Sequence, residues 1–194
     1  MQSIRRALDE AAEVQAAFRA DREALAACER FASAALEAFR RGGTIYSAGN
    51  GGSMSDAMHF AEEWSGRFRR ERTPLPAMAF SDPAALTCIA NDYGYEQVFA
   101  RQVCAHGKAG DVFVAISTSG NSPNLVAACR AARERGLTVV GLLGRGGGEM
   151  RDLCDIPIVV PAGTTSDRIQ EVHIQVIHAV IEAAERELFP GNYA

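Results

Sequence analysis

Over residues 4–39 the apolar positions recur at helical spacing: Leu8, Ala11, Val14 and Phe18, then Leu25, Cys28, Phe31, Ala34 and Phe39. That period predicts two amphipathic helices with a break near Ala20 and Asp21. No strand precedes either helix. Their apolar stripes must therefore be covered by the core, by each other or by a second subunit. After Arg41-Gly42-Gly43 the pattern changes to short apolar runs at 44–47, 76–80, 111–117, 138–143 and 156–160. These read as strands, with helical patterns between them at 53–67, 84–90, 95–105 and 123–135 and a last one from 166 or 167 to 188. Ser53 with Asp56 reads as a capping box, Ser122-Pro123 as an N-cap followed by proline at N1, and Gly136 as a helix stop.

Strands that are almost continuously apolar and alternate with helices imply a parallel sheet covered on both faces. The expected fold is α/β, a flavodoxin-like doubly wound parallel sheet of about five strands with additional N-terminal helices. A single domain is expected over 1–194, with a helical part at 1–41 and an α/β core at 42–194. Ligands of such sheets sit beyond the carboxyl ends of the strands. Two serine-bearing loops leave strands at that edge and open helices: Gly49-Asn50-Gly51-Gly52-Ser53 and Ser117-Thr118-Ser119-Gly120-Asn121-Ser122. Free backbone N–H groups and the positive ends of two helices there suit a phosphate, without any lysine or arginine.

Bulk numbers narrow the classes. The chain has 194 residues, 47% hydrophobic and 23% charged, with a formal net charge of −4. That balance argues against a nucleic-acid surface of broad basic character. Arg67, Arg69, Arg70 and Arg72 form a local basic cluster that reads as a solvated face. Five cysteines without a C-x-x-C pair fit reduced, mostly buried thiols. No apolar signal-peptide core follows Met1 and no run reaches membrane-spanning length, so a cytoplasmic protein without a membrane partner is expected.

Polar residues on helices offer the chemistry. His59 and Glu63 lie one turn apart on one face, a spacing that suits a metal pair or a base with its orienting partner, and Glu62 competes for the carboxylate role. Within the last helix, Gln170 and His178 lie on one slanted ridge, facing either a common cavity or a buried polar network. His173 reads as an interface or surface position. Asn91-Asp92 reads as a polar loop between two helices, where a carboxylate could accept bonds from sugar hydroxyls, and Asp82 before Pro83 as a turn former.

The two serine loops, the stretch from Asp56 to Glu63 with Gly66-Arg67, Asn91-Asp92, and the run from Asp167 through His178 together resemble the sugar isomerase (SIS) family. More narrowly they are similar to its phosphoheptose isomerases, over nearly the whole chain. The resemblance implies isomerisation of sedoheptulose 7-phosphate to D-glycero-D-manno-heptose 7-phosphate through an enediol, feeding surface-glycan heptose. It also implies a homotetramer with active sites at subunit interfaces, and in some members zinc. It assigns Glu63 as the base and His178 as the partner acid/base, with His59, Glu63, Gln170 and His178 as zinc ligands. Ser53, Ser117, Thr118, Ser119 and Ser122 match the phosphate site. Asn50, Gly51, Gly52, Arg67, Asn91, Asp92, Asp167 and Gln170 match other substrate contacts. Met54 departs from relatives that carry histidine there, which reads as tuning. The competing class is a non-catalytic regulator of the same fold, binding a replication initiator or sensing a sugar phosphate. Retention of both Glu63 and His178 favours the enzyme.

Overall fold

The computed structural model describes residues 2–193. The predicted break is one residue long: α1 (Gln2–Ala20) ends, Asp21 caps, and α2 (Arg22–Arg40) begins. The Asp21 carboxylate accepts from the backbone N–H groups of Glu23 and Ala24, which otherwise have no intrahelical partner. Five strands follow: β1 (Ile45–Gly49), β2 (Ala77–Ala79), β3 (Val112–Ser117), β4 (Thr138–Leu143) and β5 (Ile156–Val159). They pair in the order β2-β1-β3-β4-β5, every pair parallel. This is the flavodoxin-like order, and its direction reverses between β1 and β3.

Alternate strand residues sort to opposite faces. Ile45, Val112, Val114, Ile116, Val140 and Leu142 pack with α1, α2, α3 (Gly52–Ser65) and α7 (Ser166–Leu188). Tyr46, Ala48, Phe113, Ala115 and Val139 pack with α5 (Ala100–His106) and α6 (Pro123–Glu134), while Leu86 and Ile89 of α4 (Pro83–Tyr93) cover the same cluster. The N-terminal helices belong to the first face: Val14 and Phe18 of α1, and Phe31 of α2, are buried in it. Buried Asp111 ties the starts of β1 and β3, accepting from the N–H groups of Thr44 and Lys108 and from the Lys108 ammonium. Among the described residues no helix is long and apolar enough to cross a membrane.

Several local expectations are corrected. Ser53 does not cap α3. Gly51 occupies the cap at φ +57°, where glycine is favoured, and the helix starts at Gly52. Asp56 makes no capping bond; it is half-buried, one oxygen lacks a partner, and burial raises its pKa to about 6. Asn91 and Asp92 are not in a loop, because α4 continues through them to Tyr93 and stops at Gly94 with φ +86°. Asp82 caps that helix by accepting from the Ala85 N–H. The cysteines are not mostly buried: Cys129 and Cys154 are, Cys28 is intermediate, and Cys88 and Cys104 are exposed.

His173 is the clearest reversal. Its side chain is fully buried under β4, and Nε2 lies 3.2 Å from the Leu143 carbonyl. A carbonyl only accepts, so the ring carries its proton on Nε2 and leaves Nδ1 bare, without a partner. Burial lowers its pKa from 6.5 to about 4. Below pH 6.5 the unfolded chain therefore takes up a proton that the folded chain refuses. The stabilisation is full above pH 6.5 and is lost as pH falls towards 4, on the order of 3 kcal/mol in total. Urea unfolding of His173→Gln across pH 4–7 is expected to show a shallower loss of stability than wild type. Parallel pH profiles would contradict the assignment.

Candidate active site

Both serine loops emerge at the point where strand order reverses, the first from β1 and the second from β3. Asn50, Ser53, Ser117, Thr118, Ser119, Ser122, Ser166 and Gln170 line a cavity of about 150 Å³ there, floored by Ile116. Every polar lining group is neutral. The starts of α3, α6 and α7 converge on it, so three positive helix ends supply the electrostatic attraction for an anion. The hydroxyls are already arranged: Ser117 Oγ accepts from the Gly120 N–H and lies 3.3 Å from Ser122 Oγ, and Ser119 Oγ accepts from the Asn121 N–H. Ser122 sits at the cap of α6 yet makes no capping bond, which leaves its hydroxyl for the cavity.

The first loop is held by amides. Asn50 and buried Asn124 exchange two hydrogen bonds, at 3.0 and 2.9 Å, and the Tyr95 hydroxyl donates to Asn50 Oδ1 at 3.0 Å. Gln170 donates to Ser53 Oγ at 3.3 Å, so α7 reaches across the mouth of α3. A Cβ on Gly52 would lie 2.8 Å from the Gln170 amide, so a side chain there would push that amide off Ser53.

Further along the same two helices lies a second constellation. His59 Nε2 is 3.1 Å from Glu63 Oε1 and 3.5 Å from His178 Nε2. The three ligand atoms all lie within 4.8 Å of one another. Glu63 settles the competition with Glu62: its side chain is 15% exposed against 65%, and Glu62 stands 3.9 Å from the imidazole. Neighbouring ligands of a tetrahedral zinc ion are separated by about 3.3 Å, given bonds of about 2.0 Å. Two imidazole nitrogens and a carboxylate oxygen at these spacings fit such an ion with a position left open.

α3 and α7 run in parallel from the cavity, since Ser53 meets Gln170 at one level and His59 meets His178 further on. With a rise of 1.5 Å per residue, the His59 level lies about 9 Å from Ser53 along the axis. An extended sugar phosphate of six or seven carbons is of comparable length. The far end of the pair is fixed by Arg72. Its guanidinium, 1% exposed, donates to the carbonyls of Glu63, Trp64 and Gly66 at the end of α3, and to Glu185 of α7 at 2.7 Å. One arginine thus meets three carbonyls at the end of α3 and joins that helix to α7. Tyr193 donates to the other Glu185 oxygen, at 2.9 Å.

The remaining expected residues are less gathered. Gln170 turns into the serine cavity, the substrate-side of its two expected roles. Gly51 shapes the cap of α3 and is exposed. Arg67 is exposed. Asp167 is exposed at the start of α7, its pKa lowered first by a hydrogen bond from Thr165. Asn91 and Asp92 do not line the cavity; Asn91 donates to Asp92 on the surface of α4. The basic cluster is also divided, because Arg72 is a buried anchor and not part of a solvated face. Sequence reading missed Arg72, Asn124, Tyr95 and Ser166. Ser166 carried a signal, as the hydroxyl at the start of a helix leaving the functional edge; the others depend on long-range partners.

Residues 8–144 match the SIS domain family. A phosphoheptose isomerase of Fusobacterium nucleatum is 50% identical over 85% of this chain and 84% of its own. One from Klebsiella pneumoniae is 49% identical over 97% of both chains. The solved phosphoheptose isomerase of Neisseria gonorrhoeae superposes with a TM-score of 0.89 at 38% identity, covering 95% of this chain and 97% of that one.

Replacing Arg72 by methionine should leave the buried Glu185 charge without a counter-ion and the Glu63 and Gly66 carbonyls without this donor, at a cost of about 3–5 kcal/mol. Chemical denaturation is the measurement. The double variant Arg72→Met/Glu185→Met should recover part of the loss, whereas a single-variant loss under about 1 kcal/mol would show that the pair is no anchor.

Proposed function

The chain belongs to the SIS domain family and, within it, to the phosphoheptose isomerases, and on that premise we propose that it interconverts sedoheptulose 7-phosphate and D-glycero-D-manno-heptose 7-phosphate. The observation that carries this reading is the single pair of parallel helices bearing an anion cavity at their start and a His–Glu–His cluster about 9 Å on. Ser53, Ser117, Thr118, Ser119 and Ser122 hold the phosphate through hydroxyls and helix-end amides, and the sugar extends towards Glu63.

Glu63 is the base. It removes the proton from C1 of the ketose and returns it at C2 of the aldose, with an enediol between. His178 moves the hydroxyl proton between the oxygens on C2 and C1 through the ring nitrogen that does not face His59, so that no net proton is gained or lost. Asn50, Gly51, Gly52, Arg67, Asn91, Asp92, Asp167 and Gln170 are proposed as further substrate contacts. Asn91, Asp92, Arg67 and Asp167 are exposed on this chain, which suits contacts completed where subunits meet. A zinc ion held by His59, Glu63 and His178 would polarise the sugar carbonyl through its open position; Gln170 is the proposed further ligand and would have to leave Ser53 to reach it. Glu63 meets His59 through Oε1, and its second oxygen is the one proposed to carry the substrate proton. The reading includes a cytoplasmic homotetramer in which residues 1–41 pack between subunits. Ile4 and Leu8 of α1 are 66% and 67% exposed, and a monomeric mass by light scattering would contradict it.

Turnover of sedoheptulose 7-phosphate by Glu63→Gln should fall about a thousandfold while phosphate binding persists, because the change spares the serine cavity. Turnover near wild type would remove Glu63 from the reaction. Protein purified without chelator should contain zinc, and His59→Ala should lack it; equal metal content in the two would refute the metal assignment.

A further inference from the structure

The loop after β4 reads Gly144-Arg145-Gly146-Gly147-Gly148, and it braces the second serine loop. Met150 N–H donates to the Gly120 carbonyl and Glu149 N–H to Asn121 Oδ1, both at 2.9 Å. The packing is backbone on backbone: a Cβ on Gly120 would run into the Gly147 carbonyl, and one on Gly144 would lie 2.8 Å from the Thr118 carbonyl. Within this run Arg145 adopts φ +49°, and among the described residues it is the one non-glycine with positive φ. Glycine takes that conformation without penalty, and four of the five loop residues are glycine. The strained position nevertheless carries a long cationic side chain, the pattern expected where strain is kept for function.

Where that side chain goes is informative. Arg145 Nη2 lies 3.4 Å from Ser166 Oγ, which is 3.1 Å from Thr118 Oγ1, and both hydroxyls line the anion cavity. Among the described residues Arg145 makes no ion pair. The carboxylate beside Ser166, that of Asp167, is taken by Arg168. The cavity lining itself holds no charge.

We propose that Arg145 is the cationic contact of the phosphate site, placed at its rim by the strained glycine loop so that the guanidinium attracts and holds the dianionic phosphate of the substrate. The proposal rests on the reading of the cavity as a phosphate site. Ser166 is then both a cavity hydroxyl and the fixed point on which the guanidinium rests. A rim charge acts through long-range attraction, so its contribution is greatest at low salt and weakens as ions screen it.

The test is calorimetric titration of the full chain with inorganic phosphate at low and physiological salt, for wild type, Arg145→Gly and Arg145→Lys, with KM and kcat measured alongside. Arg145→Gly should bind phosphate about tenfold more weakly at low salt, with a flatter salt dependence and the loss falling on KM rather than kcat. Its Tm should not fall, because glycine relaxes the backbone strain, whereas removal of a merely structural arginine would lower it. Arg145→Lys should recover most of the affinity and of the salt dependence. Wild-type affinity and salt dependence in Arg145→Gly, or a lysine variant as weak as the glycine one, would overturn the proposal. A wild-type protein that binds no phosphate would overturn the phosphate reading of the cavity and this proposal with it.

Discussion

The register of α3 against α7 is the constraint on which the site depends. Each helix starts at the carboxyl edge of the sheet, and each carries part of the cavity and part of the cluster. A slide of one turn would separate Ser53 from Gln170 and His59 from His178 together. Two devices hold the pair: Gln170 on Ser53 at the start, and the buried Arg72–Glu185 pair beyond the cluster. An arginine 1% exposed is tolerable only because every face of the guanidinium has a carbonyl or carboxylate to meet. Strong geometry is thereby placed just past Glu63, whose own carbonyl is one of the groups Arg72 binds.

The strands, their parallel order and the two serine loops were legible because each rests on local signals: apolar runs bounded by glycine, proline or aspartate, and hydroxyls placed where helices begin. The face shared by His59 and Glu63 follows from helical spacing alone. What was misread depends on distant partners. Arg72 stands among three exposed arginines in sequence, and only Glu185, 113 positions away, makes it a core residue. His173 alternates with apolar neighbours on a helix whose buried stripe is wide, so its side could not be assigned without knowing that β4 lies over it. Asn91 and Asp92 read as a loop because both residue types disfavour helix interiors, yet a helix end tolerates them and Gly94 supplies the stop. Arg145 gives no sign in sequence of being strained, since its conformation is imposed by the close packing of the flanking glycines on the second serine loop.

A division of labour between the two ends of the helix pair follows. The phosphate end is neutral in its lining, and hydroxyls and helix ends can hold a dianion there without a fixed counter-charge inside the cavity. The chemical end concentrates the titratable groups, two imidazoles and one carboxylate, at separations that suit both proton transfer and a metal ion. Anchoring the phosphate at one end leaves the carbonyl end of the sugar at the other, so binding energy distant from the reacting carbons fixes their position.

That division is tested most directly by proton NMR of the full-length protein with sedoheptulose 7-phosphate in D2O. The expected result is the appearance of aldose anomeric signals from a heptose 7-phosphate carrying deuterium at C2, as proton return from a solvent-exchanging base requires. Sedoheptulose 7-phosphate left unchanged, in a sample that binds phosphate, would contradict the assignment of the His–Glu–His end as the centre of isomerisation.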